Sequence, residues 1–240
     1  MHGGTGFPSV LTIVAHPDDE TIGVGGSLAS FASQGWRVGT CILSGGAEAR
    51  HLRPGDDDLQ ADTLTAHAML GLPKPIVGTF PNIRFNVVPH LELVQFIERA
   101  MEETQADLIM THHPSDLNDD HGVVSRAAQA AARLWMRRPG LVPPLQGFYF
   151  FEVLSSTDWA LPSNNSAFAP STFVDIEAHL ELKIRASQAY RHVLREHPHS
   201  RSVESIRALA RLRGAQAGVL AAEALQCAFA RIGGLGQRLP

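Results

Sequence analysis

Five stretches of the chain are dense in Val, Ile, Leu and aromatic residues: 9–15, 36–43, 76–80, 106–111 and 148–154. Their length and β-branched content predict buried strands. Segments of helical period separate them. Helices are expected over 27–34, closed by Gly35, over 58–70, closed by Gly71, and over 89–103, where Pro89 takes the tolerated first turn. Leu91, Val94, Ile97 and Met101 recur at helical spacing in the third. An alanine-rich helix follows residue 121 and runs to about 136. Beyond the fifth strand come a polar loop at 155–171 and a short extended piece at 173–176. Two further regions, 177–195 and 203–230, are helical in composition, and a frayed tail is expected from Gly233.

Strands that alternate with helices predict βαβ units and an open, doubly wound α/β sheet. The sheet should be mostly parallel, with helices on both faces. No repeat, low-complexity linker or composition shift marks a boundary, so residues 1–240 are expected to form one domain. Sheets of this kind bind ligands beyond the carboxyl ends of their strands. The loops that follow the strands are therefore where function is expected.

Composition narrows the classes. The chain is 44% hydrophobic and 18% charged, which suits a packed core and not a disordered segment. A formal charge of −4 with no basic run argues against a nucleic-acid partner. Cys41 and Cys227 are too few for a disulfide framework, and Cys41 lies in an apolar strand as a small hydrophobe. No basic-then-apolar leader and no bilayer-length apolar run is visible, so a cytoplasmic protein without a membrane partner is expected.

Two ionisable clusters stand at predicted strand ends. The first is Ala15-His16-Pro17-Asp18-Asp19-Glu20, directly after the first strand. Three adjacent carboxylates repel one another in a purely structural turn, and a bound cation relieves that. The second cluster, His112-His113-Pro114-Ser115-Asp116-Leu117-Asn118-Asp119-Asp120-His121, follows the fourth strand. His16, Asp19 and His121 are the expected metal ligands. Two nitrogens and one oxygen, with the fourth position open, match a catalytic zinc site, one ion per chain. Asp18 then faces the reacting water as general base. Asp120 and Asp116 are candidates for orienting an imidazole from behind, and Asp119 for favouring a helix N-terminus. Arg50, Arg84 and Arg201 lie in loops where they can bind hydroxyls or a phosphate. His199 is a further candidate, whereas His2, His67, His90, His179 and His192 read as ordinary surface or core residues. Gly23-Val24-Gly25-Gly26 lacks the spacing of a dinucleotide fingerprint.

The first cluster resembles the AHPDDE signature of the PIG-L / LmbE-like zinc deacetylases. The second resembles that family's HPxDxNxDH motif, and the two occur in the family's order. Phe80-Pro81-Asn82-Ile83-Arg84-Phe85 and His199-Ser200-Arg201-Ser202 resemble weaker segments of the same family. The resemblance implies a Rossmann-like fold, zinc, a homo-oligomer, and hydrolysis of an N-acetyl group on an acetamido sugar as the small-molecule substrate. It also implies His16, Asp19 and His121 as ligands and Asp18 as base. Many members carry a second histidine where this chain has Asn118. Asn118 is then left to bind substrate, and the proton for the leaving amine comes from Asp18, His113 or His199. Alternatives of other kinds are an amidase for a non-sugar amide and a metal- or sugar-binding module without catalysis.

Overall fold

The computed structural model describes residues 8–46, 55–161 and 167–231. A seven-stranded sheet runs in the order β3-β2-β1-β4-β5-β7-β6. Its strands are β1 Ser9–Val14, β2 Arg37–Ile42, β3 Ile76–Val77, β4 Leu108–His112, β5 Gly147–Phe151, β6 Thr172–Asp175 and β7 Ala222–Ala230. The first five in chain order are parallel, and β7 pairs antiparallel with both β5 and β6. The helices are α1 Asp19–Ser33, α2 Asp56–Met69, α3 His90–Thr104, α4 Asp119–Ala131, α5 Leu134–Arg137, α6 Leu180–Ala189 and α7 Val203–Ala217. A mostly parallel α/β sheet with helices on both faces is what the strand–helix alternation predicts.

Strand β1 is buried along its whole length, and its side chains divide between two cores. Val10 and Val14 face one core, with Leu28 of α1, Leu59 of α2, Ile184 of α6 and Ile206 of α7. Leu11, Ile13 and Ala15 face the other, with Leu93 and Ile97 of α3 and Val124 of α4. This is the period-two alternation of a strand covered on both sides. Burying each such Val, Leu or Ile stabilises the fold by about 1.5–3 kcal/mol. The chain order reverses between β1 and β4, so the loops after these two strands open into one crevice.

Three elements differ from the sequence expectation. The first helix begins at Asp19, not at 27, because Asp19 and Glu20 place negative charge at its N-terminus. Its glycines allow close packing: a Cβ on Gly26 would lie 2.9 Å from the Ile176 side chain. The helix breaks at Val24 (φ −134°, ψ 18°) and restarts where Glu223 accepts the N–H groups of Gly26 and Ser27, at 3.0 and 2.6 Å. Lys183 Nζ lies 2.6 Å from the same carboxylate and balances its charge. Secondly, 203–230 is not one helix. Gly218, at φ 75°, ends α7 in the left-handed conformation, and the alanine-rich remainder becomes β7. Pairing on both edges overrides its helical composition. Thirdly, 177–195 is interrupted: α6 stops at Ala189, and 190–201 is an irregular segment.

No helix among the described residues is long and apolar enough to cross a membrane. The two thiols differ sharply. Cys41 is buried and desolvation raises its pKa, whereas Cys227 is exposed. An alkylating reagent is expected to modify Cys227 quickly in the native protein and Cys41 only after unfolding. Equal rates at both sites, followed by intact mass, would contradict this packing.

Candidate metal centre and its cavity

His16 follows β1, Asp19 opens α1, and His121 sits in the first turn of α4. Each offers one ligand atom, and the three atoms lie within 4.8 Å of one another. All three residues are buried. Each imidazole is tied at the back by a carboxylate. His16 Nε2 is 3.0 Å from Asp120 Oδ2, and His121 Nδ1 is 3.2 Å from Asp116 Oδ2. Asp120 is anchored by the N–H groups of Ile83 and Phe85, at 2.7 and 2.9 Å. Asp116 accepts from the Thr157 hydroxyl at 2.7 Å, from the Asn118 N–H at 2.9 Å, and from the Ser156 hydroxyl. A ring hydrogen donated backwards turns the other nitrogen's lone pair forwards.

The forward nitrogens converge on one carboxylate oxygen. His16 Nδ1 is 3.5 Å and His121 Nε2 is 3.2 Å from Asp19 Oδ2. Even so, His121 Nε2 is a buried atom without hydrogen-bond geometry to any partner. A buried, unsatisfied nitrogen aimed at a carboxylate fits a divalent cation between them, and the mixed N/O set suits a borderline metal. Without a cation the charges show how strongly the site favours one. Burial alone depresses the His121 pKa, but the charges of Asp19 and Asp116 push it up to about 10. Burial raises Asp19, but the His121 charge brings it well below the usual carboxylate range. Asp116 is held at about 2, burial opposing and His121 prevailing.

His112 stacks on His121, with ring centroids 3.8 Å apart. Its Nε2 accepts the Ala15 N–H at 2.9 Å, and burial and the neighbouring His121 lower its pKa to about 3. It is therefore a neutral, oriented ring behind the centre. Successive side chains at a strand end point opposite ways, so only one of His112 and His113 can face Asp19. That one is His112. His113, expected as a proton donor, lies instead between the edges of Phe150 and Phe168, 5.7 Å from each ring centre, and does not line the cavity.

The cavity over the three residues has a volume of about 270 Å³. Asp18 lines it, 2% exposed, in a left-handed conformation (φ 96°) as the residue before α1. Arg201 Nη1 is 3.7 Å from Asp18 Oδ1, and Arg201 Nε is fixed by the Leu154 carbonyl and the Ser155 hydroxyl at 3.2 and 2.6 Å. His199 also lines the cavity. Its Nδ1 accepts the Arg201 N–H at 3.0 Å, which puts the ring hydrogen on Nε2. Burial and the Arg201 charge lower its pKa. Asn118 caps α4 by accepting the Asp120 N–H at 3.0 Å and also faces the cavity.

One expected substrate contact is not gathered here. Arg84 is exposed and does not line the cavity, while its neighbours Asn82 and Ile83 do. Arg50 lies outside the described residues. Conversely, Arg191 and Arg195, which the sequence did not single out, line the cavity together with His192, which read as an ordinary residue. On a continuous helix over 177–195 these three would share one face, so periodicity does not separate them from an ordinary solvated face. In fact α6 ends at Ala189, and they line the cavity from the irregular segment beyond it.

Comparison with known proteins bears on the family and the fold. The chain is 25% identical over 192 residues to the uncharacterized deacetylase YaiS of Escherichia coli K12, covering 76% of this chain and 90% of that one. The N,N'-diacetylchitobiose deacetylase of Pyrococcus horikoshii superposes with a TM-score of 0.72 at 18% identity, covering 91% of this chain and 82% of that one. GalB of Pseudomonas putida KT2440, a 4-carboxy-2-hydroxymuconate hydratase, superposes with a TM-score of 0.75 at 22% identity, covering 98% of this chain and all of that one. The two structures speak for a shared fold, and a fold of this kind hosts more than one chemistry. The family model described as PIG-L, GlcNAc-PI de-N-acetylase, matches residues 11–132 and so takes in β1 to α4 with both ionisable clusters; the chain belongs to the PIG-L family.

Proposed function

We propose that the protein is a zinc-dependent N-deacetylase that hydrolyses the acetamido group of a small amino-sugar derivative. The observation that carries this reading is the placement of Asp18, His199 and Arg201 in one cavity with the His16, Asp19 and His121 donor set. A volume of about 270 Å³ is just under the lower limit of about 300 Å³ for small-molecule sites and suits a compact group at the reacting centre. His16, Asp19 and His121 would hold the zinc, which when bound polarises the amide carbonyl and acidifies the attacking water.

The chain's own residues supply the remainder. Asp18 takes the proton from water as the C–O bond forms, and returns it to the nitrogen as the C–N bond breaks. Free amine and acetate result. Lowered in pKa and carrying its hydrogen on Nε2, His199 is a neutral donor suited to the developing oxyanion. Asn118 presents its amide to a sugar hydroxyl. Arg201 keeps a positive charge beside Asp18.

The test is acetate release by the zinc-loaded protein from N-acetylglucosamine, N,N'-diacetylchitobiose and a simple N-acetyl amino acid. Turnover of the sugars is expected, with the amino acid a poor substrate. Preference for the amino acid would move the assignment to a non-sugar amidase. Absence of acetate from all three, with zinc bound, would leave a binding module.

A further inference from the structure

Glu20 is fully buried, yet it belongs neither to the metal ligands nor to the cavity lining. Its side chain collects hydrogen bonds from three directions. Oε2 accepts the Asp18 N–H at 3.1 Å. Oε1 accepts the Thr21 hydroxyl at 2.7 Å and the Tyr190 hydroxyl at 2.5 Å. His67 Nε2 faces the same oxygen at 3.7 Å, and its Nδ1 is held by the Pro73 carbonyl at 2.9 Å.

Two of these contacts reach the cavity. Asp18 sits at φ 96°, in a region that non-glycine residues seldom occupy and that persists only when the surroundings impose it. The Asp18 N–H bond to Glu20 is part of what imposes it. Tyr190 is the residue at which α6 ends and the 190–201 segment begins, and that segment carries His199 and Arg201. One carboxylate thus touches the backbone of Asp18 and the root of the opposite wall.

We infer that Glu20 is a positioning residue: its carboxylate holds Asp18 in the left-handed conformation and, through the Tyr190 hydroxyl, locks the 190–201 wall to the same point. The inference rests on Asp18 being the general base. Both oxygens of Glu20 accept here, and a glutamine can keep the Asp18 N–H bond only if the Thr21 and Tyr190 hydroxyls turn round to accept from its amide. A glutamine in this place turns an N–H₂ group either towards the Asp18 N–H or towards the two hydroxyls.

The experiment compares Glu20→Gln, Tyr190→Phe and Asp18→Asn as zinc-loaded full-length proteins. Metal content, kcat, KM and amide exchange at Asp18 are measured on each. Misplacement of a catalytic group by about 1 Å costs about 10²-fold, and Glu20→Gln is expected to lose kcat on that scale with its zinc retained. Tyr190→Phe removes one hydroxyl and should raise KM more than it lowers kcat. Asp18 amide exchange should be faster in both. Unchanged kcat, KM and Asp18 exchange in the folded variants, even with lowered thermal stability, would overturn the inference and leave Glu20 a structural anion. Should Glu20→Gln fail to fold, Tyr190→Phe decides by the same measurements. An active Asp18→Asn enzyme refutes the base assignment instead, and Asp18 exchange then decides the role of Glu20 by itself.

Discussion

Replacing Asp18 by Asn is expected to lower kcat by about 10²–10⁴-fold, the usual contribution of a general base, while fold and metal content survive. Asn has the same shape and tolerates the left-handed conformation that Asp18 adopts at φ 96°. Its backbone N–H can still reach Glu20, so the helix start should not move. The metal should remain because Asp18 is not in the His16, Asp19 and His121 donor set. What an amide lacks is the capacity to take a proton from water and pass it to a leaving amine. His113 is away from the cavity and Asn118 is in use as a helix cap, so neither takes over that role. The measurement is kcat with zinc determined in the same sample. Wild-type kcat at full zinc would refute the assignment of Asp18 and the route of the proton.

His121→Ala is expected to abolish stable metal binding, and His16→Ala to weaken it severely. Each leaves two protein ligands, and catalytic zinc sites use three. His121 should be the more damaging change, since its ring is the more deeply buried of the two and stacks closely on His112. Its loss leaves the buried Asp116 carboxylate without its imidazole. Proton linkage offers a second measurement. In the absence of a cation, Asp19 and Asp116 hold the His121 proton up to about pH 10. Metal must displace that proton, so affinity should rise with pH through the neutral range, and zinc loading should release protons. Titration calorimetry in buffers of different ionisation enthalpy reads the release. Full occupancy in both His16→Ala and His121→Ala would sink the ligand assignment.

Much of the frame was legible locally. Val10, Leu11, Ile13 and Val14, broken only by Thr12, form a near-continuous apolar run because β1 is covered on both faces, and such a run announces a central parallel strand. Gly35 and Gly71 mark helix ends because both adopt positive φ. The end of the chain was less legible. An alanine-rich stretch has helical propensity whether or not two neighbouring strands await it, so β7 depends on pairing that composition does not express.

By itself, the sequence determined that two clusters of histidines and carboxylates stand at the ends of two strands, and that a parallel sheet opens such ends on one side. Residue type and period settle those points, and both are local. Only the tertiary structure decided which carboxylate serves which ring. Asp120 of α4 supports His16 after β1, and Asp116 supports His121, although nearness in the chain pairs Asp120 with His121 and Asp116 with His113. The same holds for Glu20, which turns away from its acidic neighbours towards Tyr190, and for the wall at 190–201. These pairings join residues up to 170 positions apart. They follow from strand register and from where each helix ends, which are properties of the packed chain as a whole.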